Sequence, residues 1–190
     1  MRSYRLYENV DPEANISGED FDLVSQVNES MMLDRVFKVV RADIAKKGVG
    51  NCRSITFIHE HQEDLCIRNY YDMVIIMKNL LANAIQSDAG EIRVKTEITE
   101  DELVLTVSDN GKGISPEHKP YIFTPRFSTK SMKQSDTSGL GLYNVRKAII
   151  NSRGKFQIDS NPGQGTTCTV CFPLKEILVE NGKQLSAMNR

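Results

Sequence analysis

The chain has 190 residues, of which 39% are hydrophobic and 26% charged, and its formal net charge is −1. At roughly 100 to 200 residues per domain, this length predicts one compact domain with short appendages and excludes two independent enzymes. The balanced charge lacks the basic excess of nucleic-acid-binding proteins, and no apolar run approaches the ~20 residues that cross a bilayer. We therefore expect a cytoplasmic segment that contacts neither nucleic acid nor a membrane.

The first half of the chain begins with a polar, acidic stretch at residues 1–20, which we interpret as a linker or arm. Apolar residues at helical spacing predict a helix over residues 21–47. Two short strands that meet at a polar turn are predicted at 53–62 and 64–68. The most apolar segment, residues 70–87, then predicts a buried helix.

The second half of the chain predicts two β-hairpins separated by a long polar loop and a helix. Alternation of apolar and polar residues predicts one hairpin from strands at 91–97 and 102–108, and a second from strands at 156–159 and 166–172. Between the hairpins, a glycine cluster opens a helix that ends near residue 152.

Adjacent paired strands with helices between them define the fold class as an α/β two-layer sandwich. Its sheet is expected to be mixed and mostly antiparallel, with the helices on one face. A doubly wound dinucleotide fold would instead alternate single strands with helices. We expect the domain to span residues 21–173 and a polar C-terminal tail to follow at 174–190.

Two of the four cysteines, Cys168 and Cys171, have the CxxC spacing of zinc and redox sites. Residues 166–172 predict a strand, however, and residues three apart on a strand point to opposite faces. Thiols on opposite faces cannot share a metal ion. We interpret the cysteines as reduced, buried or half-buried side chains.

Three amides fall in line on the predicted helix at 70–87. At 100° per residue, Asn79, Asn83 and Gln86 share one stripe, and each would cost roughly 1 to 3 kcal/mol if buried without a partner. The stripe is either a hydrogen-bond ladder to neighbouring backbone or the lining of a ligand cleft with an Asn carbonyl facing Mg²⁺. At the helix start, Asn69 is placed as the N-cap with Asp72 as its capping-box partner.

Asp109 ends a predicted strand on the same face as its apolar residues, so its carboxylate points toward the core side and needs donors. A purine exocyclic amine is one natural donor, although Asp-Asn-Gly is also a common turn sequence. Gly111 and Gly113 fit both alternatives, because each could supply a positive φ or a close approach to a flat ring.

A long polar loop over residues 115–137 precedes the cluster Gly139-Leu140-Gly141. Such a loop is either a solvated, charged segment or a functional lid, whose cations Arg126 and Lys130 would reach terminal phosphates. Glycines at a helix N-terminus leave backbone N–H groups free to meet phosphate.

Taken together, these motifs resemble the ATP-binding domain of sensor histidine kinases of two-component systems. Their order and spacing match the family pattern from Phe21 to Pro173. Residues 79–84 resemble the asparagine box, 109–114 the first glycine box, 122–130 the phenylalanine box, 138–142 the second glycine box, and 163–167 the last glycine turn. The resemblance implies the Bergerat ATP-binding fold.

The resemblance also implies residue roles. Asn83 would coordinate Mg²⁺, Asn79 would support the phosphate side, and Asp109 would accept the adenine amino group. The implied catalytic residues are Asn79, Lys130 and Arg126. The implied residues for binding ATP are Asn79, Asn83, Gln86, Asp109, Gly111, Gly113, Lys130, Ser138, Gly139, Leu140, Gly141, Leu142 and Thr166.

Three positions depart from the family pattern and bear on catalytic rate more than on ATP binding. Thr137 stands where the family usually has a glycine, Arg126 replaces an aromatic residue, and Gln86 stands where many relatives carry a lysine. A fourth position separates branches of the fold, because ATP-hydrolysing branches carry a glutamate where this chain has Asn79. A neutral amide cannot deprotonate water, so phosphoryl transfer to an external nucleophile is preferred over hydrolysis.

The expected function is transfer of the γ-phosphate of Mg-ATP to a histidine on a dimerisation helix of the same or another kinase chain, with a response regulator downstream. The alternative is a serine kinase of the anti-sigma type, or a nucleotide-sensing module without phosphotransfer. The acceptor is expected outside this chain, because none of His59, His61 and His118 lies on a helix that precedes the domain. We therefore expect a domain excised from a longer kinase, whose parent can be membrane-anchored, or one that acts in trans.

Overall fold

The computed structural model describes residues 33–47, 52–60, 65–127 and 139–179. Four helices, five strands and one 3₁₀ turn lie in these ranges. In chain order they are α1 (Leu33–Lys47), β1 (Ser54–Glu60), α2 (Tyr70–Gln86), β2 (Glu91–Ile98), β3 (Glu102–Asp109), the 3₁₀ turn (Lys119–Tyr121), α3 (Gly141–Asn151), β4 (Lys155–Asn161), β5 (Gly165–Pro173) and α4 (Leu174–Ile177).

The strands form one mixed sheet in the order β1-β2-β3-β5-β4. β1 runs parallel to β2, and the other neighbours are antiparallel, including the predicted hairpins β2–β3 and β4–β5. A parallel pair needs a crossover connection, which α2 supplies. The predicted α/β sandwich with a mixed, mostly antiparallel sheet is confirmed.

The core lies between the helices and the inner face of the sheet. From the sheet, Leu103 and Leu105 of β3 are fully buried in this core. From the helices, Ile76 and Leu81 of α2 are fully buried in it as well. Burying each of these side chains contributes roughly 1.5 to 3 kcal/mol. Because side chains alternate along a strand, the same register places Asp109 on the inner face at the end of β3.

The strand predicted at 64–68, and its pairing with the preceding strand, are wrong. β1 pairs with β2 instead, and Ile67 makes only an isolated bridge with Leu178. Leu65, Cys66 and Ile67 are all buried, so this extended segment lacks the alternation of a half-covered strand. The part of the predicted first helix before Leu33, and the predicted turn at 61–63, lie outside the described residues.

The predicted capping box is also wrong. Asn69 stands at the N-cap position of α2 but makes no side-chain capping bond. Its Nδ2 donates to Ser152 Oγ at 3.0 Å, and Ser152 Oγ donates to Asp72 Oδ2 at 3.1 Å. Burial raises the pKa of Asp72, while hydrogen bonds from Ser152 and Asn151 lower it. A partner at the end of α3 therefore replaces the local cap and ties the two helices together.

The segment assigned to the polar tail begins with a packed helical turn. Leu174 and Ile177 of α4 are buried in the core, and the backbone N–H of Arg68 donates to the Ile177 carbonyl at 2.7 Å. Arg153, after α3, lies 3.2 Å from Glu176. A polar tail beyond Val179 stays a prediction.

The two cysteines with CxxC spacing lie on opposite faces of β5, as the alternation predicts. Cys168 is buried and Cys171 half-buried, and both thiols are free. Burial, together with the charge of Asp109, raises the pKa of the Cys168 thiol to about 12. Within the described ranges, no helix is long and apolar enough to cross a membrane.

Candidate nucleotide-binding site

The first part of the site is the carboxylate of Asp109 at the end of β3. Its Oδ1 accepts the Gly111 N–H at 2.8 Å and lies 3.2 Å from Ser87 Oγ, just past the end of α2. Thr166, its register partner on β5, donates a backbone hydrogen bond to the same carboxylate. Burial raises the pKa of Asp109, and these hydrogen bonds lower it.

The turn alternative for the Asp-Asn-Gly sequence is therefore confirmed, and the base-binding alternative stays a prediction. The Asp109 side chain bonds the amide two residues on, which is an Asx turn, and that same bond fixes the direction of the carboxylate. Asn110 secures the turn from its other side, since its Oδ1 accepts the N–H groups of Gly90 and Glu91, each at 2.9 Å.

Neighbouring protein atoms explain why two positions in this turn require glycine. A Cβ at Gly111 would overlap Ser87 Oγ, and one at Gly113 would overlap the Asn161 carbonyl. Gly113 also has φ +70°, which favours glycine. The loop is thus pressed between the end of α2 and the β4–β5 hairpin, and that contact fixes where the Asp109 carboxylate sits.

The second part of the site is the amide stripe of α2. Asn79 is buried, and its Nδ2 donates to the Ile75 carbonyl at 2.8 Å, so it satisfies the ladder alternative. Asn83 does not, because its buried Nδ2 has no hydrogen-bond partner among the described residues. A buried amide without a partner costs roughly 1 to 3 kcal/mol, which favours the cleft alternative there. Gln86, the last residue of α2, is half-buried.

The third part is the glycine cluster before α3. Gly141 begins the helix, and a Cβ there would lie 3.0 Å from Asn79 Oδ1, so the cluster packs directly on the amide stripe. Leu140 is the N-cap and makes no side-chain capping bond, while Leu142 packs against the core. Gly139 has φ +66°.

The structure thus places most of the predicted site residues along the amide stripe of α2 or next to its two ends. The amide stripe runs from Gly141, beside Asn79, to Ser87, beside Asp109. Arg126 is exposed, and its backbone contacts Gly139. Lys130 and Ser138, which the sequence also predicts for the site, and Thr137 lie outside the described residues.

Two residues that the sequence did not mark as site residues support the acidic end: Gly165, which it placed only in the last glycine turn, and Ser160. Gly165 has φ +86°, and a Cβ there would overlap the Asp109 carbonyl. Ser160 is 3% exposed and bonds Ile114, Gly165 and Thr166. A signal for Ser160 exists in the sequence, because it continues the inner-face alternation of Phe156 and Ile158 with a polar residue.

The fold and these three parts define a Bergerat-type nucleotide-binding domain. The family model of histidine kinase-, DNA gyrase B- and HSP90-like ATPases matches residues 70–176, more than half of the chain. The chain belongs to this family.

Relatives with similar sequences are named sensor kinases. A probable C4-dicarboxylate sensor kinase of Bacillus subtilis is 33% identical over 118 residues, which cover 59% of this chain and 22% of the relative. Sensor protein BceS of Halalkalibacterium halodurans is 28% identical over 176 residues, which cover 91% of this chain and 51% of the relative. The chain therefore spans about half or less of the length of these relatives.

Solved structures show the same fold. The catalytic domain of histidine kinase ThkA matches with a TM-score of 0.58 at 24% identity, covering 76% of this chain and 95% of that one. The mycobacterial sensor histidine kinase MprB matches with a TM-score of 0.56 at 19% identity, covering 76% and 96%. The predicted class, the ATP-binding catalytic domain of sensor histidine kinases, is confirmed and is favoured over the serine-kinase or anti-sigma alternative.

Proposed function

We propose that this domain binds Mg-ATP along the amide stripe of α2 and transfers the γ-phosphate to a histidine on a separate dimerisation helix. The observation that carries the proposal is the continuity of the stripe, which joins the oriented carboxylate of Asp109 at one end to Gly141 at the other. Adenine would lie at the acidic end and the phosphates at the glycine end.

The acidic end suits a base with an exocyclic amine. The Asp109 carboxylate lies at a strand end on the inner face of the sheet and accepts the backbone N–H groups of Gly111 and Thr166. Ser87 Oγ lies 3.2 Å from it and shares its one proton with the Ala84 carbonyl, which is 2.7 Å away. An ionised carboxylate has only acceptor sites, so a ligand amine can take those that the protein leaves open. Thr166, paired with Asp109 across the strands, adds a hydroxyl beside it.

The glycine end suits phosphate. Gly139, Leu140, Gly141 and Leu142 open α3, and a helix start presents backbone N–H groups and the positive end of the helix dipole to an anion. In this assignment, Lys130, Arg126 and Ser138 complete the contacts to the phosphates.

The middle of the stripe fits a hard cation. The side chain of Asn83 has an amide nitrogen that is buried and unpartnered among the described residues, and an amide oxygen is a ligand that Mg²⁺ accepts. Mg²⁺, when bound, neutralises charge on the transferring phosphate. Asn83 would hold the ion, and Gln86 would contribute to the same wall of the site.

The side chain at position 79 favours transfer over hydrolysis. Asn79 is a buried neutral amide whose nitrogen already donates to the Ile75 carbonyl. An amide cannot remove a proton from water, so a water molecule at this position is not activated. The nucleophile then comes from outside the domain, and the proposed partners are a dimerisation domain that carries the histidine and a response regulator downstream. The proposed setting is the cytoplasmic part of a membrane-anchored kinase.

The test combines the purified chain with γ-labelled Mg-ATP and a dimerisation domain from the same parent protein. We expect label on the dimerisation domain in an acid-labile, base-stable form, which is the behaviour of phosphohistidine. A matched reaction uses the dimerisation domain with its histidine replaced by alanine, and it should stay unlabelled. Label on a serine, or free phosphate alone despite bound ATP, would contradict the proposal.

A further inference from the structure

Ser160 is the buried centre of a hydrogen-bond network beneath the acidic end of the site. Its hydroxyl oxygen accepts the Ile114 N–H at 2.8 Å, and its proton is donated to the Gly165 carbonyl at 2.9 Å. The Thr166 hydroxyl lies 2.9 Å away. Ser160, Thr166 and Asp109 are register partners in one row across β4, β5 and β3.

The direction of the bond between the two hydroxyls follows from counting protons. A serine hydroxyl has one proton and two lone pairs. The Gly165 carbonyl can only accept, so the Ser160 proton points there, and the Ile114 N–H occupies one lone pair. The remaining lone pair faces Thr166, whose hydroxyl must donate to it.

We propose that Ser160 is a positioning residue that fixes the Thr166 hydroxyl as a hydrogen-bond acceptor beside Asp109, and so makes the site select 6-amino purines over 6-oxo purines. With its own proton held by Ser160, Thr166 offers only lone pairs to a ligand. The inference rests on the proposed function in placing the base at Asp109.

The chemistry of the 6-position explains the selection. The amino group of adenine has two N–H donors, one for Asp109 and one for Thr166. A 6-oxo purine has a carbonyl oxygen at this position. Asp109 and Thr166, both acceptors, would then face a third acceptor on the ligand with no proton between them. A site with fixed acceptors rejects such an analogue because its polar groups are left unpaired. Without Ser160, the Thr166 hydroxyl could rotate and donate to that carbonyl.

The test compares the binding of ADP and IDP by calorimetry, because neither diphosphate can donate a γ-phosphate. For Ser160→Ala we expect the preference for ADP over IDP to fall by about three- to tenfold, the value of one net hydrogen bond. Thr166→Val, which keeps Ser160 in place, should lower the preference similarly. The double variant should lose no more than either single variant, because both act through one hydroxyl.

The matched control is Ser108→Ala. Ser108 and Thr167 form another hydroxyl pair, at 3.0 Å, but on the outer face of the sheet. This variant should leave the ADP to IDP preference unchanged.

The outcomes separate selection from stability. If Ser160→Ala weakens ADP and IDP equally, the residue is only structural and the inference fails. If Ser160→Ala does not fold, Thr166→Val decides, and an unchanged preference in that variant overturns the inference. If the wild-type chain binds neither nucleotide, the proposed function itself is overturned, and the inference with it.

Discussion

The backbone N–H of Arg126 donates a 3.0 Å hydrogen bond to the carbonyl of Gly139. Both residues have left-handed backbones, with φ +64° at Arg126 and φ +66° at Gly139. The bond joins the described residues on either side of positions 128–138. The chain therefore enters and leaves that segment at one point, next to the glycines that open α3.

Gly139→Ala should destabilise the domain through two separate effects. The added Cβ would lie 2.7 Å from the Arg126 carbonyl carbon. Alanine is also higher in energy than glycine in the left-handed backbone conformation that this position has. Together we expect a loss of about 2 to 3 kcal/mol in the free energy of unfolding. Urea denaturation of the wild type and the variant measures the difference.

Gly163→Ala is the matched control for this prediction. Gly163 has φ +75°, but a Cβ there meets nothing within 4 Å. It should lose about 1 kcal/mol, the backbone cost alone. Equal losses in the two variants would show that the contact between Gly139 and Arg126 adds nothing.

Asp109→Asn should weaken ADP binding by at least about tenfold, because a hydrogen bond to a charged group contributes roughly 1.5 to 3 kcal/mol. The amide oxygen can still accept the Gly111 N–H, so the free energy of unfolding should change little. Calorimetry and urea denaturation measure the two quantities on the same samples. Asp159→Asn, on the exposed face of β4, is the control and should bind as the wild type does. An unchanged affinity in Asp109→Asn would remove this carboxylate from the base site.

The half-buried carboxyl of Asp72 should make stability depend on pH. Its pKa lies above its usual value of 3.8, chiefly because burial penalises the charged form. The folded state then binds more protons than the unfolded state between 3.8 and the raised pKa, so stability falls as pH rises through that window. Asp72→Asn removes the titration. The stability of the wild type relative to this variant should therefore fall with rising pH in that window and be constant above it. A difference that rises with pH would reverse the sign of the pKa shift.

The sequence predicted those features that a single stretch of chain determines. The alternation predicted the two hairpins, β2–β3 and β4–β5, although not the pairing of β3 with β5 that joins them. The 100° spacing of helical residues predicted the stripe of Asn79 and Asn83. Contacts between distant segments were not predictable. The parallel pairing of β1 with β2, and the bond from Asn69 to Ser152, join parts of the chain whose meeting no local pattern encodes.

The residues of the candidate site likewise fall into those that a local sequence pattern predicts and those that depend on contacts between distant segments. Asp109 and the amides were identified because each polar residue interrupts an apolar face. Ser160 continues the inner-face alternation of β4 with a polar residue in the same way, but the strand predicted at 156–159 ends one residue before it. The requirement for Gly165 depends on the Asp109 carbonyl of another strand, and only the assembled sheet reveals it.

Asn83→Ala should separate binding of the nucleotide from binding of its metal ion. The variant removes the amide oxygen that would hold Mg²⁺. It also removes an amide nitrogen that is buried and has no hydrogen-bond partner among the described residues, so the free energy of unfolding should not fall. ATP affinity measured in EDTA should match the wild type, because Asp109 and the glycine end are intact. The increase in affinity that Mg²⁺ gives the wild type should be absent in the variant. If Mg²⁺ strengthens ATP binding equally in both proteins, Asn83 does not hold the ion.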